Sequence, residues 1–106
     1  MERRRSVRVE ENLEFQFGID GYDIRATTLN ISSHGAMCLV DTSLPLMAKL
    51  KISLSLSSKK ILIDGVIVRK EKDPPTNRFY IAIFFSGLKP VDRKVLDEFI
   101  CRRLSR

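Results

Sequence analysis

The sequence predicts a mainly β fold, a six-stranded antiparallel β-barrel followed by one C-terminal α-helix. Apolar and polar side chains alternate through most of residues 12–88, which is the pattern of half-buried strands. Turn-forming residues interrupt this alternation at hairpin spacing, and a helical period of apolar residues begins only after Pro90. A chain of 106 residues is long enough for one such domain with its own core.

The first two predicted strands form a hairpin. Asp20-Gly21 predicts a two-residue turn between them. In the second strand the apolar positions are even-numbered up to Ala26 but odd-numbered from Leu29, so we predict a β-bulge or sharp coil near Thr27-Thr28. We expect this slip to turn Asn30 and Ser32 outward. The apolar residues of the first strand are Leu13, Phe15, Phe17 and Ile19.

The other four strands follow in hairpin order. Pro45 lies in a connection because proline cannot pair in a central strand. Gly65 interrupts the fifth strand, where we expect a bend or bulge at a barrel corner. The sixth strand is apolar on both faces and therefore needs cover on both. These four strands are predicted at residues 36–40, 49–57, 60–70 and 78–85.

Residues 89–106 predict a helix that begins near Pro90 and covers the mouth of the barrel and the sixth strand. Asp92 near its start and three arginines near its end suit the helix dipole. One side of this helix carries the apolar residues Val91, Val95, Leu96, Phe99 and Ile100.

Positive charge is concentrated at the two ends of the chain. Residues 1–8 hold four arginines and one glutamate, and residues 101–106 hold three arginines, whereas residues 9–100 balance to zero within a net charge of +6. We predict that residues 1–11 form a flexible arginine-rich arm on a barrel spanning residues 12–88. Cationic ends on a neutral body favour a small anionic ligand over a long polyanion.

Several other classes of protein are not supported. A single histidine, His34, leaves no pair of groups for acid–base or nucleophilic catalysis, and the chain has no metal-ligand cluster. We therefore predict no enzymatic activity, no metal and no cofactor. Cys38 is expected in the core, and two distant cysteines suit a reducing compartment. No apolar run could span a membrane or direct secretion, so we expect a cytoplasmic protein.

A ligand-binding turn is predicted at residues 29–35. Leu29 and Ile31 would anchor the core while Asn30 and Ser32 face outward. Gly35 would permit a close backbone approach to a ligand or a positive φ angle. The alternative interpretation is a plain Asx or Ser turn between two strands.

A second motif precedes this turn. Arg4 and Arg8 are four residues apart, so they share a face in a helix or in an extended chain. Together, Arg4-Arg5-Ser6-Val7-Arg8 and Asn30-Ile31-Ser32-Ser33-His34-Gly35 resemble the RxxxR and [D/N]xSxxG motifs of the PilZ domain, a bacterial receptor for cyclic di-GMP. The resemblance covers essentially the whole chain and implies the same barrel and the same ligand.

The resemblance also implies roles for individual residues. Arginine can bond phosphate bidentately, pair with a guanine edge or stack on a base, so it suits both parts of the ligand. Asn30 and Ser32 would hydrogen-bond a guanine or nearby backbone, and Gly35 would keep the surface clear. His34 is expected to be exposed. The ligand-binding residues implied are Arg4, Arg8, Asn30, Ser32 and Gly35, with secondary contacts from Arg3, Arg5, Ser33 and His34.

The function implied is a receptor whose arm becomes ordered over the barrel when ligand binds and which signals through an unidentified effector protein, as a monomer or homodimer. One alternative is a PilZ-like adaptor in pilus or flagellar assembly that binds no nucleotide. Another is a small barrel that binds nucleic acid. Most aromatic residues occupy core positions instead of alternating with lysine and arginine, so we expect no nucleic-acid partner.

Overall fold

The computed structural model describes residues 8–19, 21–56 and 59–104. Its six strands pair antiparallel and close into a barrel, as the alternation predicted. One helix follows the last strand. The bounds are β1 Glu14–Ile19, β2 Tyr22–Ile31, β3 Gly35–Val40, β4 Lys49–Leu56, β5 Lys59–Asp73, β6 Arg78–Leu88 and α1 Pro90–Leu104. The order around the barrel is β1-β2-β3-β6-β5-β4. The predicted hairpin order is therefore wrong at one step, because β3 pairs with β6 and β4 closes the barrel against β1.

Turns and bulges lie close to where the sequence predicted them. Ile19 pairs with Tyr22 across a two-residue turn, in which Gly21 has a φ of 82°. The ladder between β2 and β3 shifts between Thr28 and Asn30, which confirms a bulge in this strand and places it at Leu29. A second predicted irregularity is confirmed between Asp64 and Gly65 of β5.

The core fills the barrel with alternate side chains from every strand. Phe15, Leu54 and Ile81 are completely buried, and the rings of Phe15 and Phe85 lie 6.3 Å apart. Cys38 is also buried, as predicted, and neither cysteine forms a disulfide. Burial raises the pKa of the Cys38 thiol from an ordinary value of 9.0 to about 12.

Helix α1 joins this core through one face. Leu96, Phe99 and Ile100 belong to the same buried cluster as the inward side chains of the barrel, so α1 covers the barrel opening. Val91, predicted on this face, is 67% exposed. At about 100° per residue, Val91 lies about 140° around the helix from Leu96, which turns it to solvent.

Cover of the sixth strand is incomplete. Its odd-numbered side chains, such as Ile81 and Ile83, face the core, but Phe84 on the outer face is 49% exposed. The prediction that α1 covers both faces of this strand is therefore wrong, because the buried face of the helix packs into the core cluster. Within the described ranges, no helix combines the length and apolar character needed to cross a membrane.

Candidate functional site

The turn at residues 32–35 is a compact loop held by its own hydrogen bonds. The backbone N–H of Ser32 donates to the carbonyl oxygen of Gly35 at 2.8 Å. The hydroxyl of Ser32 accepts from the N–H of His34 at 3.2 Å and donates to the same Gly35 carbonyl at 3.3 Å. The carbonyl of His34 in turn accepts from the N–H of Phe85 on β6 at 2.8 Å, which ties the loop to the barrel.

Ser32 therefore faces inward, contrary to prediction. Its side chain is 1% exposed, whereas Asn30 remains partly exposed. Strand β2 ends at Ile31, so Ser32 no longer follows the alternation of the ladder and folds over the backbone of the loop instead. The hydroxyl of Ser32 contacts nearby backbone, which is one of its two predicted partners, and a contact with a guanine stays a prediction.

Gly35 is needed because two strands approach closely. A Cβ atom at this position would clash with the carbonyl oxygen of Ile83 on β6 and would lie 3.7 Å from the Cα of Phe84. The predicted positive φ is not found, since Gly21 is the one glycine of the described residues with a positive φ. On the side where a Cβ would stand, Gly35 closely approaches the backbone of β6, and the predicted approach of its backbone to a ligand stays a prediction.

Arg8 and Asn30 meet at the exposed edge of this loop. A guanidinium N–H of Arg8 donates to the Oδ1 of Asn30 at 2.7 Å, which joins the two sequence motifs in space. The next residue, Val9, is buried and pairs with Ile31 through two backbone hydrogen bonds of 2.9 Å. Arg8 is thus held over the loop by the residue that follows it.

A buried threonine, Thr28, holds the residues that follow Val9 against β2. The hydroxyl of Thr28 donates to the carbonyl of Glu11 at 2.6 Å and accepts from the N–H of Leu13 at 2.9 Å. Thr28 is completely buried, and its hydrogen bonds attach the segment from Val9 to Leu13 to β2. The sequence predicted only a bulge or sharp coil near Thr28. Its position in phase with Ile24 and Ala26, before the slip, was the signal that it faces inward.

Two arginines of α1 reach the same region, and sequence analysis gave neither a role in the site. A guanidinium N–H of Arg93 donates to the carbonyl of Ser33 at 2.9 Å. The Nε of Arg103 lies 2.7 Å from a carboxylate oxygen of Glu11, and its guanidinium stacks 4.3 Å from the ring centroid of Phe99. Nothing in the local sequence marks Arg93, because its partner is 60 residues away.

Of the remaining predicted site residues, Ser33 and His34 lie in the described part of the chain and three arginines lie outside it. Ser33 is partly buried and its hydroxyl lies 3.3 Å from Nδ1 of His34, which is exposed as expected. Arg3, Arg4 and Arg5 lie outside the described residues, as do residues 1–7 of the flexible arm that was predicted at residues 1–11. The end of that arm is attached to β2 instead of flexible, because Val9 bonds to the backbone of Ile31 and Glu11 accepts from Thr28. No group of three or more histidine, cysteine, aspartate or glutamate side chains comes together among the residues described.

The turn between β2 and β3 is a candidate binding site, because the exposed cationic side chain of Arg8 lies above a hydrogen-bonded loop. Comparison with known protein families shows to which family the chain belongs. A model of the PilZ domain matches residues 2–102, nearly the entire chain. The chain belongs to the PilZ domain family. No curated protein matches the sequence significantly.

Several solved structures share the fold. The Bacillus subtilis inhibitor of motility, MotI/DgrA, has a TM-score of 0.87 at 23% identity, with all of this chain and 54% of that chain covered. The complex of K. pneumoniae MrkH with cyclic di-GMP has a TM-score of 0.82 at 20% identity, covering 99% and 54% of the two chains. This PilZ chain thus spans about half the length of both proteins.

A third structure matches the PilZ domain alone. The PilZ domain of Escherichia coli YcgR, solved with cyclic di-GMP, has a TM-score of 0.73 at 17% identity, covering 98% of this chain and 93% of that one. At these identities the structures establish the shared fold. The motif residues Arg8, Asn30 and Gly35 of this PilZ domain therefore occupy a barrel of the same architecture as domains solved with the nucleotide.

Proposed function

We propose that this PilZ domain is a receptor for cyclic di-GMP and has no catalytic role. The observation that carries the proposal is the 2.7 Å hydrogen bond between Arg8 and Asn30, because it brings together two motifs that lie 22 residues apart. Membership of the family supports the choice of ligand, as do the structures of the YcgR PilZ domain with cyclic di-GMP and of the MrkH complex with cyclic di-GMP.

The chemistry of the loop supports the same ligand. The guanidinium of Arg8 is exposed and can exchange its hydrogen bond with Asn30 for a phosphate oxygen or a guanine edge. The amide of Asn30 would then be released to pair with a base. In this proposal Ser32 and Gly35 act through the backbone of the loop, since both are buried.

We further propose that ligand orders the arm. Residues 9–11 are already attached to β2 and α1, so the ordering concerns residues 1–7, which include Arg4. Arg4 would close over the ligand beside Arg8, with Arg3 and Arg5 adding positive charge. The closed arm would present a new surface to an effector protein, and the ordering of several residues would make the affinity moderate.

Calorimetric titration with cyclic di-GMP tests the proposal. We expect saturable binding by the unmodified protein and about a tenfold or greater loss of affinity in Arg8→Ala, because a charge-assisted contact is removed. Asn30→Ala should also weaken binding. Arg69→Ala is the matched control, because it removes the same charge from an exposed position on β5, three strands from β2 in either direction around the barrel.

The absence of binding to the unmodified protein at micromolar ligand would overturn the receptor proposal and favour an adaptor that binds no nucleotide. Equal losses in Arg8→Ala and Arg69→Ala would show that general charge, and not the motif, attracts the ligand. In that case a salt-dependent shift with random oligonucleotides would support the nucleic-acid alternative.

A further inference from the structure

We propose that helix α1 positions both halves of the candidate ligand site, with Arg93 holding the loop of residues 32–35 and Arg103 holding the base of the arm. The proposal rests on the function proposed above and extends it to a part of the chain outside both motifs. The observation that carries it is that one helix makes a polar contact to each half.

Arg93 holds the loop through its backbone. Its guanidinium donates to the carbonyl of Ser33 at 2.9 Å, in a partly buried position. The N–H groups of Ser32 and His34 bond within the loop, and the carbonyl of His34 accepts from Phe85, so the contact of Arg93 adds an attachment of the loop on its helix side. A charged donor makes a stronger hydrogen bond than a neutral one.

Arg103 holds the base of the arm. Its Nε lies 2.7 Å from the carboxylate of Glu11, and both side chains are only 25% exposed, so solvent screens this pair less than a surface pair. The ring of Phe99, itself buried, lies 4.3 Å beneath the same guanidinium and restricts its orientation. Glu11 is two residues from buried Val9 and three from Arg8, so its position bears directly on the arm.

The two arginines lie on the buried side of α1. Taking Leu96 as the centre of the buried face, Arg93 lies about 60° to one side and Arg103 about 20° to the other, at about 100° per residue. Both therefore share the face that buries Leu96, Phe99 and Ile100. If docking of α1 favours the ligand-competent loop and arm, ligand must favour docking of α1 to the same extent.

Hydrogen exchange and binding measurements on three variants test this inference. Arg93→Met keeps the aliphatic bulk and removes the donor, Arg93→Lys keeps a charged donor, and Lys94→Met removes the same charge from the exposed neighbouring position. The reporters are the amides of His34 and Phe85, which are bonded to the loop, and the amide of Ile52 on β4 as a distant reference.

In the ligand-free Arg93→Met variant, we expect amide exchange to be about tenfold faster at His34 and Phe85 and unchanged at Ile52. The same variant should bind cyclic di-GMP about tenfold more weakly. Arg93→Lys should restore a large part of the slow exchange and of the affinity, and Lys94→Met should match the unmodified protein in both measurements. Ligand should also slow amide exchange in α1, most strongly near Arg103.

Unchanged exchange at His34 and Phe85 in Arg93→Met would overturn the positioning role. An equal acceleration of exchange at Ile52 would also overturn it, because it would indicate a general loss of stability. Failure of Arg93→Lys to recover either measurement would also count against it. If the unmodified protein binds no cyclic di-GMP, the receptor proposal fails, but the exchange measurements on the free protein still decide whether Arg93 holds the loop.

Discussion

A side chain at position 35 would occupy space that belongs to a neighbouring strand. The Cβ of such a side chain would clash with the carbonyl oxygen of Ile83, and this oxygen belongs to the backbone of a central strand. Backbone cannot move aside as a flexible side chain can, because hydrogen bonds on both sides of β6 hold it. The motif glycine thus has a structural reason to be present that is independent of any ligand.

We therefore expect Gly35→Ala to lower the free energy of unfolding by about 2–4 kcal/mol. Gly21→Ala is the comparison, since a Cβ there meets no atom within 4 Å and only the φ of 82° opposes it. It should cost about 1 kcal/mol. Urea unfolding of both variants checks the difference, and a loss in Gly35→Ala no larger than that in Gly21→Ala would contradict the steric explanation.

At the scale of the element, α1 is attached to the barrel by an apolar face with polar contacts around it. Leu96, Phe99 and Ile100 provide the burial. Asp92 accepts from the N–H of Leu62 at 3.4 Å near the start of the helix, and Arg103 pairs with Glu11 near its end. Because these two contacts lie near opposite ends of the helix, they restrain its movement along its axis as well as across it. The apolar face alone would not restrain both movements.

A double-mutant cycle with Glu11→Ala and Arg103→Ala measures the contribution of that last contact. We expect a coupling free energy of about 1 kcal/mol, because the pair is partly buried and Phe99 restricts the guanidinium. Lys51 and Asp64 form a comparable pair at 3.0 Å whose side chains are 86% and 56% exposed. Their cycle should give about 0.3 kcal/mol, and equal couplings would contradict a special role for Arg103.

At the scale of the whole molecule, closure of the barrel isolates its interior from solvent. Cys38 of β3 pairs with Ile81 of β6 and with Thr28 of β2, and its side chain is completely buried. Because every strand has two neighbours, the thiol has no edge through which local opening would expose it. Its ionisation is therefore linked to unfolding of the domain as a whole.

This linkage predicts a loss of stability in alkali. The folded state holds the proton of Cys38 more tightly, since its pKa is raised from 9.0 to about 12. The stabilisation is complete below pH 9 and is lost as pH rises from there toward 12. Between these values the free energy of unfolding should fall relative to Cys38→Ala by about 1.4 kcal/mol per pH unit. The free energies of unfolding of the unmodified protein and of Cys38→Ala are measured by chemical denaturation across this pH range. If the two pH profiles run parallel, the linkage is disproved.

The sequence alone determined the strands, the pairing of most consecutive strands, the start of α1 and the two motifs. The exception is β3, which pairs with β6 and not with β4. The determined features depend on local properties, namely alternation along a strand, the turn chemistry of Asp20-Gly21, the phase slip before Ile31 and the spacing of the arginines. The sequence also predicted the burial of Cys38, from its apolar neighbours, and the exposure of His34, from its place in the family motif.

Only the tertiary structure decided how the site is held. Ser32 turns inward because its strand has ended, and Gly35 is required by the backbone of a strand that lies 48 residues further along the chain. Thr28, Arg93 and Arg103 gain their roles from partners that are distant in sequence. Alternation fixes which face a residue occupies, but barrel closure and the docking of α1 decide which distant residue it meets there.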